Sequence, residues 1–424
     1  MKFSTWAAAA LAALAVLISG CGDTFRPVAT PLPQPSPDPQ TQRFAVVTAC
    51  VVVAGDCQRS ATGASGVSTD IDVSGDSVMG ITTVGRSPVN ALAETTLVAT
   101  ADRDSDTIST YSHFTLSTVT TVTGVTTTGL PSGAAPTALV TANGTIYVAE
   151  SGRGVIGVLG GAPFAITAEV PVGTNPVSLT VLPNGRKLYA VNSGSNSVTV
   201  IDTTDNSVVT TVPVGGTPVF AVPSADSSHV YVVNQSSGTV SVIDATTDAV
   251  AATITVGSSP NYAVFDIHNQ RVVVTNPGSG TISVIVADPT SPLFLKPTGV
   301  TNVTVGSNPR SVTALPDGTK LYVANAGSNS VSVVNSLSLA VSKTIPVGTF
   351  PISISSDAES TKVLTANRDS NDISTINTAT DSEVADASGK VVRILEPQID
   401  PTCVSTASAP CARFNPVFVS VGPG

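Results

Sequence analysis

Charged and aromatic side chains are scarce in this sequence. Of its 424 residues, only 11% are charged and 4% are aromatic. The single tryptophan, Trp6, lies in the N-terminal segment. A core without large aromatic anchors has to be built from thin layers of Val, Ala, Ile and Leu, and such small or β-branched residues suit a pleated, half-buried sheet.

Positive charge is also scarce, and so are the usual signatures of catalysis. The 19 Lys and Arg residues are outnumbered by 29 Asp and Glu, which gives a net charge of −10. An acidic surface repels nucleic acid, so the charge disfavours DNA binding. His113, His229 and His268 are scattered, and the sequence contains no Gly-x-Ser-x-Gly, Cys–His or Walker motif. No catalytic residue is therefore predicted.

Residues 1–20 are typical of a secretion signal. A positive start at Lys2 is followed by an apolar stretch over 7–18, too short for a membrane span, and small residues precede Cys21. This arrangement resembles the bacterial lipobox, whose cysteine carries a lipid; the alternative is an ordinary signal peptide and a chance cysteine. Residues 21–42 are rich in proline, which favours an extended linker. We expect an exported lipoprotein anchored through Cys21, on the outer membrane or periplasmic side if the cell is Gram-negative.

Four cysteines remain for the folded part: Cys50, Cys57, Cys403 and Cys411. An even number in an exported chain predicts two disulfides, and three connectivities are open. Pairing within each local pair is the simpler expectation, and cross-linking of the two pairs is the alternative.

A cassette of about 40 residues recurs along the chain. Taking the proline after each Gly-x-x as a marker, copies begin at Pro88, Pro136, Pro176, Pro218, Pro260, Pro309 and Pro351. In the copy over 173–215 the pattern predicts strand a at 177–181, strand b at 187–191, strand c at 197–202 and strand d at 208–214. Asn-Gly and Asp-Gly turns separate strands a and b. Four short strands per copy predict an all-β propeller; a β-solenoid is the main alternative, but its rungs are shorter.

The two ends of the chain supply an eighth, divided copy. Residues 43–49, 66–73 and 78–85 match strands b, c and d, and residues 415–421 match the missing strand a. Such a shared blade would close the ring and leave no unpaired edge. The sequence thus predicts one propeller domain over 43–424 with eight blades, or seven if the N-terminal match is illusory.

The repeat has a recognisable family pattern. The segments LYVANAGSNSVSVV (321–334) and LYAVNSGSNSVTVID (188–202) resemble the YVTN-type propeller repeat of archaeal surface-layer proteins and bacterial YncE-like exported proteins. The resemblance covers roughly residues 43–424 and implies a propeller in the cell envelope. It implies no single activity, because propellers host many. A WD40 propeller is disfavoured by the absence of a Trp-Asp pair.

Polar residues end strand b in nearly every copy. They are Asp102, Glu150, Asn192, Asn234, Asn276, Asn325 and Asn367. One interpretation is a binding face around the ring axis, to which Arg103, Arg153 and Arg368 would contribute. The other is that Asx side chains satisfy backbone groups where the strand turns. Repetition in every copy favours the second interpretation.

Alternating carboxylates at Asp102, Asp104 and Asp106 resemble a calcium loop, although the later Gly and Glu of an EF-hand are absent. A polar turn is the competing interpretation, and no other cofactor is predicted.

Two functional hypotheses remain. The first is a lipid-anchored, non-catalytic module that binds an envelope protein or glycan. The alternative is a periplasmic enzyme of lactonase or quinone-dependent dehydrogenase type, which would have to use carboxylates and arginines of divergent loops. Convergent charged residues near the axis would favour the enzyme, whereas Ser, Thr and Asn there would favour the module.

Overall fold

Each repeat folds into one antiparallel sheet of four strands. The computed structural model describes residues 44–52, 65–73, 77–94, 97–112, 125–161, 163–385, 389–391, 393–395 and 413–421. Its strands form eight such sheets, and the innermost strands of successive sheets contact one another all the way round. The protein is therefore an eight-bladed β-propeller, as the repeat count predicted.

The strands follow the predicted boundaries within a few residues. The N-terminal strands are β1 (Phe44–Val52), β2 (Gly66–Asp72) and β3 (Ser77–Val84). Blade 1 comprises β4 (Pro88–Ala93), β5 (Leu97–Asp102), β6 (Thr107–Ser112) and β7 (Thr126–Gly129). Blade 2 comprises β8 (Pro136–Ala142), β9 (Thr145–Glu150), β10 (Val155–Gly160) and β11 (Ala165–Pro171). Blade 3 comprises β12 (Pro176–Val181), β13 (Lys187–Asn192), β14 (Ser197–Asp202) and β15 (Val208–Pro213).

The second half of the ring repeats this order. Blade 4 comprises β16 (Pro218–Pro223), β17 (His229–Asn234), β18 (Thr239–Asp244) and β19 (Ala249–Thr255). Blade 5 comprises β20 (Tyr262–Asp266), β21 (Arg271–Asn276), β22 (Thr281–Val286) and β23 (Val300–Thr304). Blade 6 comprises β24 (Pro309–Ala314), β25 (Lys320–Asn325), β26 (Ser330–Asn335) and β27 (Val341–Pro346). Blade 7 comprises β28 (Pro351–Ser356), β29 (Lys362–Asn367), β30 (Asp372–Asn377) and an outer edge of two short strands, β31 (Ser382–Glu383) and β32 (Ile394–Leu395).

The eighth blade joins the two ends of the chain. Its strand a is β33 (Arg413–Val421), which pairs antiparallel with β1, and its sheet order is β3-β2-β1-β33. β33 also contacts β28 of blade 7 and β4 of blade 1. The predicted closure is confirmed, and we call this sheet the composite blade.

The core lies between blades rather than within one centre. One cluster packs Tyr189 and Val200 of blade 3 against Val230 and Ile243 of blade 4. Equivalent clusters fill other interfaces between neighbouring blades, which we call seams. Both faces of each blade are covered by its neighbours, so strands b and c are buried along most of their length. This explains why the sequence alternates little in these strands.

Polar contacts brace the seams on both sides of the composite blade. The Tyr111 hydroxyl of blade 1 donates to Asp70 at 2.7 Å and lies 2.8 Å from the Ser68 hydroxyl. Burial raises the pKa of Tyr111, so the phenol keeps its proton and remains a donor. On the other side, Lys362 Nζ of blade 7 donates to the Val73 carbonyl at 2.7 Å.

A second lysine contact recurs elsewhere in the ring. Lys187 Nζ of blade 3 donates to Asp248 of blade 4 at 2.7 Å, and Lys320 Nζ of blade 6 donates to Asp381 of blade 7 at 2.8 Å. The Tyr322 hydroxyl reaches the same Asp381 carboxylate at 2.5 Å. These contacts lie where strand b begins and strand c ends, which we call the turn end of the ring.

Within the described part of the chain, no helix is long and apolar enough to cross a membrane.

Candidate functional site

The opposite end of the ring carries the connections from strand b to c and from d to the next a, and we call it the loop end. Every polar residue that the sequence placed on a binding face lies here, because strand b terminates at this end. The loop end therefore holds the residues that the sequence proposed for ligand or calcium binding, and their exposure decides which of them can meet a ligand.

The five asparagines that end strand b are fully buried inside their own blades. Each donates its Nδ2 hydrogens to strand c of the same blade; Asn325, for example, reaches Ser332 Oγ at 2.9 Å and Ser330 Oγ at 3.3 Å. The same pattern holds for Asn192, Asn234, Asn276 and Asn367. These residues tie strand b to strand c and form no exposed ring. Their partners are side chains of strand c, not the backbone groups of the turn that the sequence led us to expect.

In the five blades that carry this buried asparagine, the glycine of the Gly-x-x-Pro marker packs directly on it. A Cβ built on Gly306 would lie 2.6 Å from Asn325 Cγ and 2.7 Å from its Cβ. Contacts this short do not occur between real atoms, so only glycine fits at this place.

Gly306→Ala is therefore expected to lower the free energy of unfolding by about 1–3 kcal/mol, the usual cost of overpacking a buried site. The matched control is Gly129→Ala, because nothing lies within 4 Å of a Cβ built there. Chemical denaturation of both variants checks the prediction. Equal stability of the two variants would contradict it.

Asp102 replaces the asparagine in blade 1 and is just as buried. Ser109 donates to its carboxylate at 2.6 Å, and Thr100 at 2.8 Å. Burial nevertheless raises the pKa of Asp102 to about 6, and these hydrogen bonds offset only part of that effect. Asp102 is thus an internal carboxyl group that no ligand at the surface can touch.

Glu150 replaces the asparagine in blade 2, and a second change makes room for it. Strand c carries Gly157 where other blades carry Ser or Thr, and a Cβ there would lie 2.6 Å from Glu150 Oε1. Arg153 donates to the other oxygen, Oε2, at 2.7 Å and also binds Glu169 at 2.7 Å. Burial raises the pKa of Glu150, against the opposing effect of the bond from Arg153. Arg153 is therefore already shared by two carboxylates.

The carboxylates of the predicted calcium loop point in three directions. Asp102 faces the interior of its blade, as described above. Asp104 accepts from Ser87 Oγ at 2.6 Å, and Asp106 accepts from the backbone of Gly133 and Ala135, each at 2.8 Å. In the part of the chain that the structure describes, no group of three His, Cys, Asp or Glu is arranged to hold a metal. Calcium binding by this loop remains a prediction, for which calorimetric titration is the test.

The two histidines that the structure describes lie at the turn end. His229 Nδ1 is 2.7 Å from Ser228 Oγ, and Ser228 Oγ lies 2.7 Å from Asp226 Oδ1. The Ser228 hydroxyl thus lies between the Asp226 carboxylate and the imidazole of His229, whereas in a catalytic triad the imidazole lies between the carboxylate and the hydroxyl. His268 packs over Gly318 of the next blade. His113 lies outside the described residues, as do Cys21, Cys57, Cys403 and Cys411.

Charge is distributed unevenly over the loop end. The loops of blades 3, 4 and 5 carry no charged residue. Among the described residues, the charged residues in the connections and strand ends of blades 1, 2, 6 and 7, on either side of the composite blade, include Arg86, Arg103, Asp104, Asp106, Arg153, Arg310, Arg368 and Asp369. Several of them pair within their own loop: Arg103 with Asp104 at 3.3 Å, and Arg368 with Asp369 at 2.7 Å.

Sequence reasoning missed Arg310, which lies at the start of strand a in blade 6. It is exposed, whereas the Asp and Asn residues at the ends of strand b are not. Partial removal of its guanidinium from water, together with the charge of Arg368, lowers the pKa of Arg310. The sequence feature that could have identified Arg310 is a single arginine at a position that holds Val, Thr, Asn or Ile in the other copies.

The sequence matches one family model, and the structure resembles solved β-propellers. A family model described as lactonase, seven-bladed β-propeller, matches residues 164–342, which is less than half of the chain. The matched region runs from the outer strand of blade 2 into that of blade 6. No curated protein matches the sequence.

Solved structures with the same architecture include proteins of several kinds. The dihydro-heme d1 dehydrogenase NirN, in complex with DHE, has a TM-score of 0.64 at 12% identity, over 93% of this chain and 77% of that one. Apo AztD from Citrobacter koseri has a TM-score of 0.59 at 11% identity, over 90% and 99%. A proposed 6-phosphogluconolactonase from Bacteroides fragilis has a TM-score of 0.55 at 14% identity, over 92% and 99%. At these identities the likeness establishes the fold alone: the protein is a β-propeller with a partial match to lactonase propellers.

Proposed function

We propose that the loop end is a ligand-binding face at which the protein hydrolyses a small lactone. The observation that carries the proposal is the match of residues 164–342 to the lactonase propeller model. The gathering of charged residues in one half of the loop end supports it, because a uniform ring of Ser, Thr and Asn would offer no acid, base or cation there.

Lactone opening needs a base that activates water, and the charged half of the loop end offers partly exposed carboxylates, among them those of Asp369 and Asp104. The side chain of Asp369 is 41% exposed and that of Asp104 is 28% exposed. In the reaction, hydroxide from the activated water adds to the lactone carbonyl. The ring C–O bond then breaks, and the ring oxygen takes up the proton. We propose Asp369 as the base, because it is the more exposed of the two and lies beside Arg368.

The experiment compares the purified protein with buffer on a panel of sugar lactones at neutral pH. The expected result is ring opening above the spontaneous rate, reduced at least about tenfold by Asp369→Asn, as is usual when a general base is removed. Asp205→Asn is the control, since Asp205 lies in the exposed c–d turn of blade 3 at the turn end. Rates equal to the spontaneous rate on every lactone would overturn the proposal.

A non-catalytic module for an envelope protein or glycan is the second candidate. It is favoured by the local pairing of Arg103 and Arg153 with carboxylates, which leaves few groups free to converge on a reacting atom. Capture of one defined partner from solubilised membranes, with no lactone turnover, would support this candidate over the first.

The cellular location of the protein is also a proposal. The lipobox-like segment supports export and lipid attachment at Cys21, and the repeat segments support a YVTN or YncE-like relationship. Labelling with radioactive palmitate is expected to mark the protein and not its Cys21→Ser variant; label retained by the variant would refute the anchor. Thiol counting before and after reduction tests the two proposed disulfides among Cys50, Cys57, Cys403 and Cys411.

A further inference from the structure

The large apolar side chains that are exposed to solvent are distributed unevenly over the ring. Among the described residues, all of them except Val391 lie at the turn end or at the start of strand d in blades 3 to 6, and they are Val208, Val209, Val250, Ile267, Leu293, Leu337 and Val341. A single exposed apolar residue is ordinary, whereas a group of them on one side of a molecule marks an interaction surface.

Three of these residues lie on turns of the neighbouring blades 5 and 6. Ile267, in the a–b turn of blade 5, is 59% exposed, and Leu293, in the c–d connection of the same blade, is 41% exposed. Leu337, in the c–d turn of blade 6, is 78% exposed. We call these three residues the apolar patch. Removal of such side chains from water is favourable, so the patch favours contact with an apolar partner.

Hydrogen bonds connect the turns that form the patch. Within blade 5, the backbone N of Ala287 donates to the Gln270 carbonyl at 2.9 Å and ties the c–d connection to the a–b turn. Across the seam to blade 6, Arg271 Nη1 donates to the Ser336 carbonyl at 2.5 Å, one residue before Leu337. The apolar patch therefore lies on one connected set of turns.

The c–d turn of blade 6 has lost the charges that the repeat carries at the turn end. The position of Leu337 holds Thr204 in blade 3 and Thr246 in blade 4, in turns that contain aspartates. The turn of blade 6, over 335–340, contains no charged residue. The most exposed leucine of the patch thus occurs where the carboxylates that would repel an anionic surface are absent.

Two exposed lysines flank the patch. Lys296 follows Leu293 in the c–d connection of blade 5, and Lys343 lies on strand d of blade 6. Lysines beside exposed apolar residues are typical of surfaces that lie on a membrane, because the ammonium group attracts anionic headgroups while the apolar side chains insert between them. The chemistry of the patch therefore matches the interface of a phospholipid bilayer.

The N-terminal linker joins the ring at the same end. β1 is strand b of the composite blade, so its first residue, Phe44, lies at the turn end. The proline-rich residues 21–42 lead from Cys21 to this point, and in an extended conformation they would span at most roughly 70 Å. A lipid on Cys21 would therefore keep the turn end near the membrane.

We propose that the apolar patch docks on the surface of a phospholipid bilayer, with Ile267, Leu293 and Leu337 inserted among the headgroups. The choice of a lipid partner rests on the proposed anchor at Cys21. The anchor keeps the protein at the membrane, and the patch sets its orientation. The turn end then faces the bilayer, and the loop end, where Asp369 lies, faces the solvent from which a ligand arrives.

The test places one tryptophan at a time in the full chain and measures its quenching by brominated phospholipids. Trp6 is the only tryptophan of the sequence, so Trp6→Phe provides the background. In vesicles of phosphatidylethanolamine and phosphatidylglycerol, Leu337→Trp is expected to be quenched several-fold more than Thr349→Trp, which probes an exposed position of the loop end. Val391→Trp controls for the affinity of tryptophan itself for membranes, because it lies at an exposed apolar position outside the patch.

A second substitution tests whether the patch acts as a unit. In the Leu337→Trp chain, Leu293→Ser should reduce the quenching, because one of the inserted side chains is lost. Val391→Ser makes a similar change outside the patch and should leave the quenching unchanged. Both positions are exposed, so the melting temperature should stay at the wild-type value in each variant.

Equal quenching at positions 337, 349 and 391 would overturn the inference. A dimer that shields position 337 from aqueous iodide without vesicles would also overturn it, since a second copy of the chain would then cover the patch. Docking and anchor fail separately. Palmitate labelling without selective quenching at position 337 would refute docking and leave the anchor established, whereas selective quenching without labelling would refute the anchor and leave docking established.

Discussion

Removal of residues 413–424 is expected to abolish the cooperatively folded monomer. β33 within this segment is the innermost strand of the composite blade, where it pairs with β1 and contacts β28 and β4 of the neighbouring blades. Its loss would expose the edge of β1 and open the inner ring at two seams, and exposed edges template aggregation. Size-exclusion chromatography and thermal unfolding followed by circular dichroism would measure the effect.

A circular permutant is the matched control for this truncation. Placing residues 413–421 directly before β1, joined by a short turn such as the Asn184-Gly185 turn of blade 3, restores the strand with a different connection. Gly185 has a φ of +71°, so the turn already uses a backbone conformation that glycine adopts without strain. The permutant should recover the monomer and a cooperative transition. A truncated chain that stays monomeric with the wild-type melting temperature would show that the composite blade does not hold the ring together.

The ring itself was predictable because its determinants are local and repeated. Each Gly-x-x-Pro, each Asn-Gly turn and each short β-branched strand appears many times, so errors in one copy are corrected by the others. Even the closure between residues 43–49 and 415–421 could be found, since each half of the composite blade keeps the pattern of the whole repeat. The strand boundaries of blade 3 agree with the prediction to within one residue.

The candidate site was harder to predict, because it depends on which way a side chain points. The sequence favoured asparagines that satisfy backbone groups of the turn at the ends of strand b, with a surface ring as the alternative, whereas the structure directs these side chains inward to hydroxyls of strand c such as that of Ser332. Arg310 was missed because it departs from the repeat at a position where every other copy is uncharged, and only the structure shows that its side chain is exposed. Departures from a repeat therefore identify candidates, and the structure decides which of them are accessible.

Asp102→Asn is expected to stabilise the protein at pH 7.5 and to remove a dependence of stability on pH. Burial raises the pKa of Asp102 from 3.8 to about 6 in the folded state. Below pH 3.8 the carboxyl is protonated in both the folded and unfolded states. As the pH rises through about 6, the folded state must also release the proton, and the stabilisation present at low pH is lost. One pKa unit corresponds to about 1.4 kcal/mol, so the loss is about 3 kcal/mol.

An asparagine at position 102 avoids this loss because it is neutral at every pH and reproduces the arrangement of the other blades, with Ser109 and Thr107 in place to accept its Nδ2 hydrogens. The difference in unfolding free energy between variant and wild type should therefore grow between pH 4 and pH 7 and then level off. The reverse exchange, Asn325→Asp, puts a carboxyl group beside Ser330 and Ser332 and should lower stability at pH 7.5 while leaving it nearly unchanged at pH 4. Denaturant titrations at four pH values measure both differences. If Asp102→Asn has the same effect at pH 4 and pH 7.5, the buried carboxyl group does not titrate in this range, and its hydrogen bonds to Ser109 and Thr100 compensate fully for its burial.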